Sequence, residues 1–419
     1  MAKKREKVDK LTTDAYKGVR DFYPEEQAFL NYLFATMRGV AKHFGYEEYH
    51  ASILEPAELY KAKGAENEEI VREQTYTFID RGGREVTLRP EMTPTLARMV
   101  ARKRREMGFP LRWYSIPNVF RYERPQRGRL REHWQFNADI FGSPSPVADA
   151  EIMLLAHSLM RAFGATDEDF IIKLGSRNFL DSIVEELDLS PQHAKALRHL
   201  LDRKNKITRQ EFTREVEELG IAVETLSPKK VPSDVAEILA LLKYLGVSNA
   251  QFDPAIVRGF DYYSGVVFEV FDTHPENRRA MFGGGRYDNL TALFDAEELP
   301  AVGFAAGDVT FKDFLSVRGL LPEYLPNAKV YIAIARADFA SEAMRLAGEL
   351  RKNNVSTAVD FGDKKLSEQI KAAVRHGIPY LIVFGEDELV SQSLRVKDLA
   401  SGKETVLARG ELSSFFTTL

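Results

Sequence analysis

Apolar side chains return every three or four residues at Leu30, Leu33, Met37, Val40 and Ala41, which predicts an amphipathic helix over residues 24–44. The polar residues 1–16 before it are expected to fray, and GVRDFYPEEQ leads into it. YTFIDRGGREVTLRP reads as two strands joined at Arg81-Gly82-Gly83, and TPTLARMVARKRREMG as a helix whose basic end suits the negative pole of its dipole. Over residues 111–141 the period is two. Phe120 and Tyr122 alternate with Arg121 and Glu123, and Trp134, Phe136, Ala138 and Ile140 alternate with Gln135, Asn137 and Asp139. That pattern predicts an antiparallel hairpin with one polar face, Arg121 within a strand, and residues 124–131 as a mobile loop.

Residues 147–164 read as a helix, and about 175–245 as a charge-rich, mostly helical insertion. Strand patterns return at YYSGVVFEVF and run to about residue 310. Two prolines in LLPEYLPNAK mark a linker. After it, AKVYIAIA, VSTAVDF and YLIVFG are apolar runs of strand length, separated by helical stretches at 338–353 and 365–377. This order predicts a small α/β domain with a largely parallel sheet. The expected domains are 1–325 and 326–419.

Composition narrows the function classes. With 58 basic and 62 acidic residues the net charge is −4, which argues against non-specific coating of nucleic acid but leaves room for a local basic site. The absence of cysteine excludes disulfides, thiolate zinc sites and a cysteine nucleophile, and fits a reducing, cytoplasmic location. MAKKREKVDK has no apolar core, so no signal peptide is expected, and no apolar run is long enough for a membrane span. The eight histidines are scattered without H-x-x-x-H or H-E-x-x-H spacing, so no metal site is expected.

Four stretches are candidates for chemistry. FRYERPQRGRLREHWQ holds five arginines, and its polar strand face adds Glu123, Gln135 and Asp139. Guanidinium grips phosphate through a planar fork at any pH, so this face suits a substrate with both phosphates and an amine. VRGFDYYSGVVFEVF places Arg258 before Tyr262 and Tyr263, which read equally as site residues or as core aromatics. The triple glycine of MFGGGRYDNL allows close backbone approach, and by itself reads as a tight turn. TLRPEMTPTLARM sets Arg89 and Glu91 between a strand and a helix, where Glu91 serves either a substrate or the helix dipole. AVGFAAGDVTF reads as a close-packed strand-to-helix junction.

In order, GVRDFYPEE, TLRPEMTPTLAR, FRYERPQRGRLREHWQ, RGFDYYSGVVFE, GGGRYDNL and GDKKLSEQIKAAVRHGIPYLIVFGEDEL resemble the motifs of the histidyl-tRNA synthetase family, over residues 17–419. The resemblance implies an α+β class II catalytic core, an antiparallel sheet flanked by helices, with a helical insertion and a C-terminal α/β anticodon-binding domain. It implies activation of L-histidine by ATP with Mg2+, transfer to histidine tRNA, and a homodimer. It assigns Arg121 and Arg258 to the ATP α-phosphate and Glu123 to the adenine end, with Arg124 and Gln135 also at ATP. Glu91, Gln135 and Asp139 would hold the amino and carboxylate side of histidine, with Thr93 beside Glu91. Tyr262, Tyr263 and Tyr287 would line the imidazole pocket.

Two positions depart from the family pattern. Thr310 stands where motif 3 carries an arginine, removing one cationic contact from ATP, with Arg124 and Arg127 as candidates to replace it. Ser52 stands where motif 1, at the dimer interface, usually has proline. The competing expectation is an inactive regulatory protein, such as the subunit paired with ATP phosphoribosyltransferase. Those proteins typically lack the C-terminal domain, so residues 328–419 favour the enzyme.

Overall fold

The computed structural model describes residues 11–61, 74–124, 128–203, 207–226, 230–256, 262–277, 279–361 and 364–418. It divides into two units, Met1–Pro322 and Glu323–Leu419. The first runs α1 (Pro24–His43), β1 (Glu47–Glu48), β2 (Leu54–Pro56), α2 (Glu58–Lys61), β3 (Tyr76–Ile79), β4 (Glu85–Leu88), α3 (Thr93–Lys103), β5 (Leu111–Ser115), β6 (Asn118–Phe120) and β7 (Glu132–Phe141). It continues α4 (Pro146–Ala162), β8 (Phe170–Ser176), α5 (Arg177–Glu186), α6 (Pro191–Arg203), α7 (Arg209–Glu218), α8 (Ser233–Tyr244), β9 (Ala250–Phe252), β10 (Val266–Asp272), β11 (Ala280–Arg286), β12 (Ala301–Gly307) and α9 (Asp308–Val317).

Among the described residues a nine-stranded sheet has the order β1-β5-β7-β12-β11-β10-β8-β9, with β6 also paired to β7. Its pairings are antiparallel except at the two ends, where β1–β5 and β8–β9 are parallel. The amphipathic pattern of α1 works as expected: Leu30, Leu33, Met37, Val40 and Ala41 are all buried. They join Ile152 and Leu155 of α4, and Phe311 and Phe314 of α9, against one face of the sheet. On β7 that face receives Phe136, Ala138 and Ile140, leaving Gln135, Asn137 and Asp139 on the other.

The hairpin β3–β4 closes as the sequence suggests. The Asp80 carboxylate accepts the backbone N–H of Gly82 and of Arg84, and Gly83 takes the left-handed φ of +77° that the turn needs. The helical stretch splits by its packing. Helices α5–α7 share a core of their own around Leu197, Leu200, Phe212 and Val216, whereas Val235, Ile238 and Leu242 of α8 pack into the main core.

The structure corrects two expectations here. The triple glycine is not a turn: Gly283, Gly284 and Gly285 lie in the middle of β11, paired on both sides. A Cβ on Gly284 would lie 1.9 Å from the Gly303 carbonyl oxygen, so glycine is required for close approach of β12. The hairpin also ends earlier than its alternation implied. Strand β6 stops at Phe120, and Arg121 continues the pairing only through its N–H to the Arg131 carbonyl, at 2.9 Å.

The second unit comprises β13 (Val330–Ile334), α10 (Ala340–Lys352), β14 (Thr357–Val359), α11 (Leu366–Arg375), β15 (Tyr380–Phe384), α12 (Glu386–Ser391), β16 (Ser393–Asp398), β17 (Glu404–Ala408) and α13 (Leu412–Thr418). The three apolar runs form the parallel trio β14-β13-β15. The sheet is not largely parallel, because β16 and β17 extend it antiparallel. Their alternation is short and charge-diluted, as in SLRVKD, which hid them. Buried Gln369 of α11 clips onto β13, accepting from the Ile334 N–H and donating to its carbonyl.

Candidate active site

The polar face of the sheet carries a cavity of about 310 Å³. Strand register explains why there is room. Gln135, Asn137 and Asp139 of β7 lie opposite Gly307, Ala305 and Gly303 of β12, and Ala305 and Gly303 in turn face Gly283 and Gly285 of β11. Three neighbouring strands thus present long polar side chains beside almost none, and a hollow results. The clearance at Gly303 is specific: a Cβ there would sit 1.9 Å from Asp139 Oδ1.

Asp139 is 4% exposed and accepts a 2.5 Å hydrogen bond from the Tyr287 hydroxyl. Burial pushes its carboxyl up to about 7, against the opposing pull of that hydrogen bond. Tyr287 packs edge-on to Tyr262, whose ring lies tilted against that of Tyr263 with centroids 4.8 Å apart. The Tyr262 hydroxyl donates to Glu91 Oε2 at 3.3 Å, so the two carboxylates bracket one aromatic cluster. Ser264 ties the tyrosine pair to β11 through the Asp288 carboxylate, and the buried Arg286–Asp149 pair fixes β11 to α4.

Glu91 stands just ahead of α3, whose first residue is Thr93, and both line the cavity. Arg121 lines it too, with its Nε donating to the Pro90 carbonyl at 2.8 Å. Glu123 pairs with Arg129 across 3.7 Å. The side-chain oxygen of Gln135 is buried with no hydrogen-bond partner among the described residues. An unpaired buried acceptor costs about 1–3 kcal/mol, a deficit that a ligand N–H would remove.

Glu91, Thr93, Arg121, Glu123, Gln135, Asp139, Tyr262, Tyr263 and Tyr287 therefore meet in one cavity. Arg124 is exposed and outside its wall. Arg258 and Arg127 lie outside the described residues. The loop expected over 124–131 is not uniformly loose. Arg131 is 9% exposed, stacks 4.1 Å over Tyr122, and donates to the Glu123 carbonyl. Arg89, at 1% exposure, is a structural clasp: its guanidinium binds the Ala51 and Asn118 carbonyls. Ser52 joins that clasp through its carbonyl, while its hydroxyl accepts the Leu54 N–H.

The sequence reading passed over His133, although it shares the phase of Gln135, Asn137 and Asp139 and lines the same cavity. Enclosure by the wall, then the guanidinium groups of Arg121 and Arg20, push its imidazole down to about 3, so it stays neutral. Thr310 also lines the cavity, with its hydroxyl donating to the Gly307 carbonyl at 3.0 Å. Among the described residues no three His, Asp or Glu side chains converge to hold a metal ion.

The antiparallel sheet, its arginine hairpin and the flanking helices define the class II aminoacyl-tRNA synthetase core. The family model for histidyl-tRNA synthetase matches residues 18–308, and that for an anticodon-binding domain matches residues 329–419. A histidine--tRNA ligase of Leptospira biflexa serovar Patoc is 43% identical over 427 aligned residues, covering 97% of each chain. The crystal structure of histidyl-tRNA synthetase from Nostoc sp. PCC 7120 superposes with a TM-score of 0.82 at 24% identity, over 98% of this chain and 100% of that one. An ATP phosphoribosyltransferase regulatory subunit/histidyl-tRNA synthetase from Bacillus halodurans C gives a TM-score of 0.69 at 22% identity, over 84% of this chain and 93% of that one. The chain belongs to the histidyl-tRNA synthetase family.

The state of Asp139 predicts a pH effect. Its folded carboxyl titrates above the ordinary carboxylate range, so the folded chain holds an extra proton between about pH 4 and 7. Stability is favoured below that window and lost as pH rises through it, by up to ~4 kcal/mol at ~1.4 kcal/mol per unit. Asp139→Asn removes the titration. Its thermal midpoint relative to the parent should climb between pH 5 and pH 8, and a difference that stays flat would contradict the assignment.

Proposed function

We propose that this chain activates L-histidine with ATP, giving histidyl-adenylate and pyrophosphate, and then passes the histidyl group to the 3′ end of histidine tRNA. The observation that carries the reading is one cavity with buried carboxylates and tyrosines at one end and Arg121 on its wall. Relatives named histidine--tRNA ligase over nearly their whole length support it.

In the first step a carboxylate oxygen of histidine attacks the α-phosphorus of ATP. The bond from that phosphorus to the bridging oxygen breaks, and pyrophosphate leaves. Such a step needs alignment and positive charge more than covalent help. Arg121, fixed by the Pro90 carbonyl, supplies one cation at the α-phosphate. Arg258 supplies the second, as the family resemblance implies. ATP enters as its Mg2+ complex, the ion riding on the phosphates. Glu123 serves the adenine end.

Glu91 and the unpaired Gln135 oxygen suit the ammonium group. The Tyr287–Asp139 hydrogen bond supports moving Asp139 to the imidazole end, among the tyrosines, where it accepts a ring N–H. A buried acceptor of this kind rejects side chains that leave it unpaired. In the second step a terminal ribose hydroxyl of the tRNA attacks the acyl carbon and releases AMP.

The inactive regulatory reading has less support, because the anticodon-binding model covers residues 329–419. Histidine-dependent exchange of pyrophosphate into ATP tests the choice. The purified chain should exchange with histidine alone among the amino acids, and Arg258→Ala should lose at least ~100-fold in kcat/KM. No exchange by the parent with all substrates present would refute the enzyme, and full activity of Arg258→Ala would refute that residue's role.

We also propose a cytoplasmic homodimer. Leu54 and Phe78 are 46% and 48% exposed and share one face of the small sheet β2-β4-β3, an apolar face suited to a second copy. Sedimentation equilibrium should give twice the 47.5 kDa chain mass, and Phe78→Asp should shift it toward one. A parent of single-chain mass at micromolar concentration would overturn the dimer.

A further inference from the structure

A short segment ahead of α1 packs behind the wall of the cavity. It turns at Tyr16–Val19, closed by the Val19 N–H on the Tyr16 carbonyl, with Gly18 at φ +90°. The backbone N–H of Arg131 donates to the Gly18 carbonyl at 2.8 Å. The Arg131 guanidinium donates to the Tyr16 hydroxyl at 3.1 Å and to the Lys17 carbonyl at 3.3 Å. Further along, Arg20 Nη2 donates to Asp308 Oδ2 at 2.7 Å, and Phe22 packs edge-on against Trp134 at 5.3 Å.

Asp308 is the junction. It is 3% exposed and opens α9, and its other oxygen accepts the Trp134 N–H at 2.9 Å. One carboxylate thus joins the N-terminal segment, β7 and α9. Trp134 lies between His133 and Gln135, and Asp308 lies between Gly307 and Val309; all four flanking residues line the cavity, as does Thr310. Arg20 and Asp308 are not among the lining residues. They stand behind the wall and fix its two sides to each other.

We infer that Arg20 is a positioning residue for the nucleotide: through Asp308, the segment Tyr16–Phe22 acts as a strap that holds β7 and the first turn of α9 in the spacing ATP meets. This rests on the reading of the cavity as an ATP and histidine site. Removing the cation leaves a buried carboxylate with its charge uncompensated, and breaking such a pair is far costlier than breaking a surface one. Asp308 would then turn toward water or take a proton, releasing the Trp134 N–H. The displacement falls chiefly on His133, Val309 and Thr310 and spares the histidine end, where Gln135 stays paired through β7 to β12, and Asp139 and Tyr287 are held by β11 and the Arg286–Asp149 pair.

The test compares Arg20→Ala, Arg20→Gln and Arg20→Lys in the full chain by pyrophosphate exchange, with ATP affinity measured separately by equilibrium dialysis. Arg20→Ala should raise the KM and Kd for ATP about tenfold while the histidine KM moves less than about twofold. Arg20→Lys, which keeps the charge, should recover most of the ATP affinity. If Arg20→Ala does not fold, the split is read from Arg20→Gln. A fall in kcat with both KM values unchanged, or equal loss toward both substrates, marks a merely structural contact and overturns the inference. A parent that performs no exchange refutes the functional reading, and the inference falls with it. A parent that exchanges, beside an Arg20→Ala chain with unaltered ATP constants, refutes the inference alone.

Discussion

A carboxylate is held near the middle of an antiparallel sheet, away from water, and the rest of the site is arranged around that cost. Asp139 fits because Gly303 opposite it has no side chain, where a Cβ would come within 1.9 Å of the carboxylate oxygen. Its neighbours in register, Ala305, Gly283 and Gly285, continue the clearance. Among the described residues Tyr287 is the side chain that donates to it, and that bond does not outweigh burial, which pushes the carboxyl up to about 7. Strongly perturbed carboxylates of this kind concentrate at sites that bind a ligand.

Holding that geometry falls to three arginines, one buried and two partly buried. Arg286 fixes β11 to α4 through Asp149, Arg89 clasps β6 to the chain at Ala51, and Arg20 fastens α9 through Asp308. Arg89 and Arg286 each satisfy several acceptors at once through a guanidinium with several donors, which suits arginine better than lysine, whereas among the described residues Arg20 donates to Asp308 alone. The arginine-rich hairpin thus contains two kinds of residue. Arg121 and Arg129 line the cavity, whereas Arg131 lies outside its lining, stacked over Tyr122.

Much of this was legible in the sequence wherever one period ran long enough. The alternation of Gln135, Asn137 and Asp139 with Phe136, Ala138 and Ile140 identified both faces of β7, and the spacing of Leu33, Met37 and Val40 identified the buried side of α1. His133 was in the same phase as Gln135 and could have been read from it. Other features depended on long-range register. Gly283 to Gly285 look like a turn until β12 is known to pass within contact of them. The Arg20–Asp308 pair spans 288 residues, and no local pattern announces it. The β16–β17 hairpin was hidden because one of its faces is charged and exposed.

In the proposed function Asp139 reads the imidazole of histidine while the nucleotide end stands apart from it. The direct measurement is the dissociation constant of histidine, and separately of ATP, for the parent and for Asp139→Asn at pH 8. Histidine should bind weaker by about 100-fold or more, because the amide keeps its oxygen for the Tyr287 hydroxyl and turns an NH2 group toward the ring N–H, with ATP binding unchanged. Equal histidine affinity in the two proteins, or an equal loss for ATP, would contradict it.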